Sequence, residues 1–213
     1  MLTSRVTILV GATFISTCLA CSGTGPAPPE LSVTAPAGAR TITGKAPAAV
    51  NRMPSVVILE SQDDAKFSTP SEPAVMDQFS MMFVPAQLLV RTNQPVRFLN
   101  SDQELHNVRV VENSTRDTIF NVATVAGGYY EHIFDQPGIY AVTCDVHTAM
   151  GAVIIATSTP HAVIADVDGT FSLVDVKPGI YTATVYASED RLESLVEIGD
   201  SQADSVLNLN RKR

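Results

Sequence analysis

Cys144, His147 and Met150 stand within seven positions, in the stretch CDVHTAMG of residues 144–151. Their C-x2-H-x2-M spacing puts a thiol, an imidazole and a thioether in one short loop between two alternating runs, GIYAVTC and GAVIIAT. A loop that closes two strands can turn all three side chains toward one point. Thiolate, imidazole and a weak axial thioether, completed by a second imidazole, are the donors of a blue-copper site. The rest of the chain must supply that second His and a frame to hold it. Otherwise the three residues are filler in an apolar core.

The frame reads as all-β. The 213 residues contain no Trp, and Val, Ile, Thr and Tyr recur in short runs between Gly, Pro, Asn and Asp. The spacing predicts strands over 41–44, 55–60, 87–91, 96–99, 106–111, 118–125, 129–134, 139–144 and 151–157. Turn residues separate several of them, as in Thr92-Asn93-Gln94-Pro95, Ala126-Gly127-Gly128 and Asp135-Gln136-Pro137-Gly138. Short strands at this spacing predict a β-sandwich. Alternation puts Tyr140, Val142 and Cys144 on one face of their strand, and His106, Val108 and Val110 on one face of theirs. Residues 61–78 read as a polar, Pro-containing loop. The net charge of −8 argues against nucleic acid as a partner, since no basic patch is available for phosphates.

The N-terminus reads as a targeting segment rather than fold. Arg5 precedes VTILVGATFISTCLA, an apolar run ending in small residues. Leu19-Ala20-Cys21 resembles a bacterial lipoprotein box, although Cys18 occupies a position where such signals usually have Leu. The resemblance implies residues 1–21 as a signal with Cys21 lipidated, a membrane anchor through that lipid, and a place in the cell envelope. Ser22 after the cysteine favours the outer membrane in a Gram-negative cell. A cleaved secretory peptide is the alternative. Residues 22–39 are rich in Pro, Ala and Gly and read as a tether, at most about 55 Å long at ~3.3 Å per residue. Exported, with Cys18 and Cys21 accounted for, the mature chain keeps one free thiol, Cys144. A lone thiol in an oxidising compartment is either buried and inert or capped by a metal.

His106 is the candidate second imidazole, and its surroundings carry a family likeness. The pattern F-x-N-x-D-x-x-x-H-N-V takes in Phe98, Asn100, Asp102, His106, Asn107 and Val108. It is followed by F-x-x-P-G-x-Y-x-x-x-C-x-x-H-x-x-M-G, from Phe134 to Gly151. Together with Met82-Phe83-Val84-Pro85, these residues resemble the cupredoxins, and the C-x2-H-x2-M spacing resembles amicyanin's. The resemblance implies a Greek-key sandwich over residues 40–158 and one type 1 copper. His106 and His147 would give nitrogens, Cys144 the thiolate and Met150 the axial sulfur. Asn107 would shield the sulfur and tie the His106 strand to the ligand loop. Electron transfer to a redox partner protein is implied, and enzyme activity is not, since Met150 closes the coordination.

Residues 159–210 read as a second, smaller unit. AVIADV, Asp168-Gly169 and TFSLVDV predict a hairpin with a two-residue type I′ turn. D-x-D-G-x-F-x-L-x-x-V-x-x-G-x-Y resembles the end of carboxypeptidase regulatory-like domains and their transthyretin-like sandwich. That implies a docking module without peptidase chemistry, one that packs against the first domain or borrows a strand from it. His132 reads as a structural histidine and His161 as an ordinary linker residue. Two other readings remain open: a protein that holds or delivers copper without redox turnover, and a metal-free cell-surface scaffold.

Overall fold

The computed structural model describes residues 38–63, 66–187, 190–199 and 205–209. The expected signal, the lipidation site at Cys21 and nearly all of the tether lie outside these residues. All regular structure among the described residues is strand. In chain order the strands are β1 (Arg40–Lys45), β2 (Val56–Ser61), β3 (Ala74–Phe79), β4 (Met82–Val84), β5 (Gln87–Arg91), β6 (Pro95–Asn100), β7 (His106–Glu112) and β8 (Thr118–Thr124). They continue with β9 (Tyr129–Ile133), β10 (Gly138–Thr143), β11 (Gly151–Thr157), β12 (Ala162–Ile164), β13 (Thr170–Val176), β14 (Gly179–Ala187), β15 (Asp190–Ile198) and β16 (Ser205–Asn208).

Two sheets, ordered β5-β11-β10-β7-β8 and β4-β3-β6-β9, are built entirely from β3 to β11. Inward residues of both fill one core, among them Met76, Val96, Phe98, Val108, Val110, Phe134, Tyr140, Val142 and Ile154. The alternation expected for β7 and β10 holds. Val108, Val110, Tyr140 and Val142 are buried, and His106 and Cys144 extend the same two faces to one end of the sandwich. Fully burying an aliphatic or Phe side chain contributes roughly 1.5–3 kcal/mol, so this shared core fixes the positions of both chemistry-bearing residues.

The other two sheets, β13-β1-β16 and β12-β2-β14-β15, enclose a second core that includes Ile42, Val57, Leu59, Phe171, Leu173, Tyr181 and Val185. Strands β1 and β2, expected within the 40–158 domain, therefore hydrogen-bond to strands from 159–209. The reason is visible in β2, where the apolar run Val56–Leu59 is buried on both faces. Val57 and Leu59 enter the second core, while Val56 and Ile58 pack with Ile155 against the first sandwich. A strand covered on both sides needs a continuous apolar sequence, and this stretch has one.

Three local expectations are corrected. Residues 74–79 form β3 rather than loop. The Asp168-Gly169 turn forms, but β12 and β13 enter different sheets, so no two-stranded hairpin follows it. Within Asp166–Gly169 only Gly169 has positive φ (+87°), and Gly169 N donates to Asp166 O at 2.8 Å, which is a type I turn followed by a left-handed residue rather than type I′. A Cβ there would also fall 2.1 Å from the Ala46 carbonyl oxygen. His161 lies in the link between β11 and β12 as expected, but it is not an ordinary linker residue, because its ring is buried. It is 6% exposed, with ring centroids 5.4 Å from Phe67 and 6.3 Å from Tyr181.

Candidate metal centre

His106 opens β7 with its ring wholly buried, and Cys144 follows the last residue of β10. Because β7 and β10 are antiparallel neighbours, with Thr143 opposite Arg109, the two residues lie at the same end of the sheet. From Cys144 the chain makes one tight excursion before β11. Met150 N donates to His147 O at 2.9 Å, and Cys144 N to Met150 O at 3.3 Å. That closure brings His147 back over the sulfur, where its backbone N–H points at Sγ from 3.4 Å.

Three donor atoms converge. The Nδ1 atoms of His106 and His147 are 2.9 Å apart, Cys144 Sγ is 3.9 Å from His106 Nδ1, and all three lie within 4.8 Å of one another. A metal held at about 2.0–2.3 Å from nitrogen and sulfur places its ligands roughly 3–4 Å apart, so the cluster has the right size. Met150 is 2% exposed and packs in the same core as Cys144. Among the described residues no further Cys, His, Asp or Glu joins the three as a close fourth donor. The donor set is therefore two imidazoles and a thiolate with a buried thioether in the same loop, which fits a single copper ion better than a closed zinc site.

The surrounding hydrogen bonds fix these groups. Asp102 Oδ2 lies 2.9 Å from His106 Nε2, which leaves Nδ1 to face the cluster. The same carboxylate accepts from Ser80 N at 2.7 Å and Met81 N at 2.9 Å. Both residues have positive φ, 54° and 56°, in the tight turn between β3 and β4, so Asp102 holds a sterically unfavourable turn and a candidate ligand at once. The Met81 amide, more than any other group, pulls the Asp102 carboxyl below its ordinary range, with His106 and the Ser80 amide adding to it against partial desolvation. Asn107 Oδ1 sits 3.3 Å from the Cys144 sulfur and accepts from Asp145 N at 2.6 Å and Val146 N at 3.3 Å. Behind it, buried Gln78 donates to the Asn107 carbonyl at 3.1 Å and accepts from Thr124 Oγ1 at 2.5 Å.

The structure thus brings His106, Cys144 and His147 together, with Asn107 against the sulfur and Met150 buried in the same core as Cys144. His132 lies apart, its ring 4.7 Å from Phe120 and 4.8 Å from Phe134. Sequence reasoning missed Gln78, and it recognised Asp102 without a role. The carboxylate four residues before His106 was the available signal for Asp102. Nothing in the sequence pointed to Gln78.

Residues 72–157 match the model of the copper binding proteins of the plastocyanin/azurin family. Among solved structures the chain is similar to a purple cupredoxin from Nitrosopumilus maritimus, with 20% identity, 39% of this chain and 99% of that one covered, and a TM-score of 0.35. It is similar to amicyanin from Paracoccus versutus at 16% identity, covering 46% of this chain and 97% of that one, with a TM-score of 0.37. A copper-containing nitrite reductase from Thermus scotoductus is 18% identical, with a TM-score of 0.39 over 47% of this chain and 26% of the reductase. No curated protein sequence matches. Residues 72–157 form a cupredoxin-like β-sandwich, and the cofactor its His106–Cys144–His147 cluster fits is copper.

Proposed function

We propose that the protein is an exported electron carrier working through one type 1 copper that His106, Cys144 and His147 would hold, with Met150 as a weaker fourth donor. The observation that carries this reading is the meeting of two imidazole Nδ1 atoms and one buried sulfur within 4.8 Å, inside the stretch matched to the copper-binding family. Bound copper would supply a one-electron couple. The chain's own part is to keep the ligands still. Asp102 orients the His106 ring, the His147 and Asn107 contacts fix the sulfur, and the β7–β10 ladder sets their separation. Ligands that do not rearrange when an electron arrives keep the barrier to transfer low.

His147 is the one imidazole of the pair that reaches the surface, and Val146 beside it is 53% exposed. The ring edge is thus the exit for the electron, toward a redox partner protein. We read the second sandwich as a transthyretin-like docking or spacing module, and the N-terminal segment as a lipid anchor and tether on the periplasmic or outer face of a bacterial envelope. Copper holding without redox turnover is the competing role, favoured by the exposed thioethers of Met81 (57%) and Met82 (55%) next to the Asp102-held turn. Voltammetry of the copper-loaded protein separates the two. Electron transfer requires a reversible one-electron wave with the metal retained in both states. Loss of copper on reduction, with transfer to a Cu(I) chelator, would replace this reading with copper delivery.

A further inference from the structure

We infer that Asp145 and Asn121 are positioning residues that fix which end of the Asn107 amide faces the Cys144 sulfur. The inference rests on the type 1 copper reading above and concerns how the reduction potential of that site is set.

The two ends of an amide side chain have nearly the same shape, so its partners decide its orientation. At one end, Asn107 Oδ1 meets two backbone N–H groups and the sulfur. At the other, Nδ2 donates to Asn121 Oδ1 at 2.7 Å and to Asp145 Oδ2 at 3.2 Å. Asn121 Nδ2 is spent on Asp145 Oδ2 at 2.8 Å, so Asn121 offers Asn107 only its oxygen. Arg109 Nη1 stands 3.7 Å from the other carboxylate oxygen, Oδ1. Both amide NH2 groups point at the same Asp145 oxygen, Oδ2, which has no N–H to offer in return and therefore sets the direction of the hydrogen bonds in the circuit. Turning the Asn107 amide over would set its oxygen against two acceptors and its NH2 against two N–H donors. The residue directly after the metal-binding cysteine thus holds, through its side chain, the group that its own backbone N–H donates to.

Without that bias the NH2 end can swing toward the sulfur. A hydrogen bond donated to a thiolate withdraws electron density from it and favours the reduced metal, which raises the potential. Three variants separate this from a plain charge effect. Asp145→Asn removes the charge but keeps an oxygen able to accept from Asn107 and Asn121. Asp145→Ala removes both. Asn121→Ala removes an acceptor with no change of charge, at an exposed side chain whose loss leaves the core untouched.

In copper-loaded protein, the potential of Asp145→Ala is expected to rise beyond that of Asp145→Asn. Asn121→Ala is expected to rise although no charge is lost, and the double variant Asp145→Ala/Asn121→Ala to rise by less than the sum of its parts. Equal shifts in the two Asp145 variants, with Asn121→Ala at the wild-type value, would overturn the inference and leave Asp145 as a charge only. If Asp145→Ala does not fold, Asn121→Ala against wild type decides alone. A wild-type protein with no thiolate-to-copper band would instead remove the copper reading itself, which is a separate outcome.

Discussion

Cys144 carries most of the chemistry in a single atom, and its burial is what makes that atom usable. At 2% exposure the sulfur is kept from other thiols, while one ring nitrogen of each imidazole lies within 4.8 Å of it. Cys144→Ser changes one atom of similar size and removes the soft donor, so the expected outcome is a folded protein without the intense visible band, checked by absorption and far-UV circular dichroism together. Met150→Leu conserves buried volume and should cost less than about 1.5 kcal/mol in stability. Copper is expected to remain bound with a changed potential, and loss of copper would show that the thioether holds the metal rather than tunes it. Of the clustered residues, Cys144 and His147 were legible because Cys, His and Met at short spacing are rare together and the loop is local, whereas His106 was found through the family likeness of its surroundings. Gln78, Asn121 and Asp145 were not legible, because their roles arise from hydrogen bonds across 14 to 46 residues of chain.

At the level of strands, periodicity served where one face is apolar and failed where it is not. Strand β3 inverts the rule, since Val75 and Phe79 are exposed while Gln78 is fully buried, so its sequence reads as a polar loop. Its neighbour β6 follows the rule, with Val96, Phe98 and Asn100 buried in turn. Phe98→Ala should lose roughly 3–5 kcal/mol by chemical denaturation, because a wholly buried ring in the first core leaves a cavity that flanking strands cannot close. An effect below about 1 kcal/mol would mean that the core is not packed as described.

His161 gives the junction between β11 and β12 a pH dependence. Burial, above all, holds its ring below the ordinary value of 6.5, reinforced by Arg91 and opposed by a hydrogen bond to Val174 and the charge of Asp175. A base held low when folded takes up a proton more readily when unfolded. Its stabilising contribution is thus complete above about pH 6.5 and declines as pH falls below it. Thermal melts at about pH 7.5 and 5.5 should show a larger loss for wild type than for His161→Phe. Equal losses would exclude His161 as the cause.

At the largest scale, the described residues form one sandwich set into another. The chain completes two strands of the second sandwich, builds the first from β3 to β11, and returns to finish the second. Most strands were legible from spacing, but the pairing of β1 and β2 was not, because nothing local marks them as partners of strands more than a hundred residues away. Residues 68–158 alone should therefore fold cooperatively and bind copper. A fragment of residues 40–158 should aggregate, since it exposes Ile42, Val57 and Leu59 with nothing to cover them. Size-exclusion chromatography of both fragments checks this, and a monomeric, soluble 40–158 fragment would contradict the nested arrangement.

The central claim, a mononuclear type 1 copper on His106, Cys144 and His147, meets its most direct test in a Cu(II) titration of the reduced, folded protein followed by visible absorption. An intense thiolate-to-copper band should grow to one equivalent and be absent in Cys144→Ser. A folded, reduced protein that takes up no copper, or takes it up without that band, would contradict it.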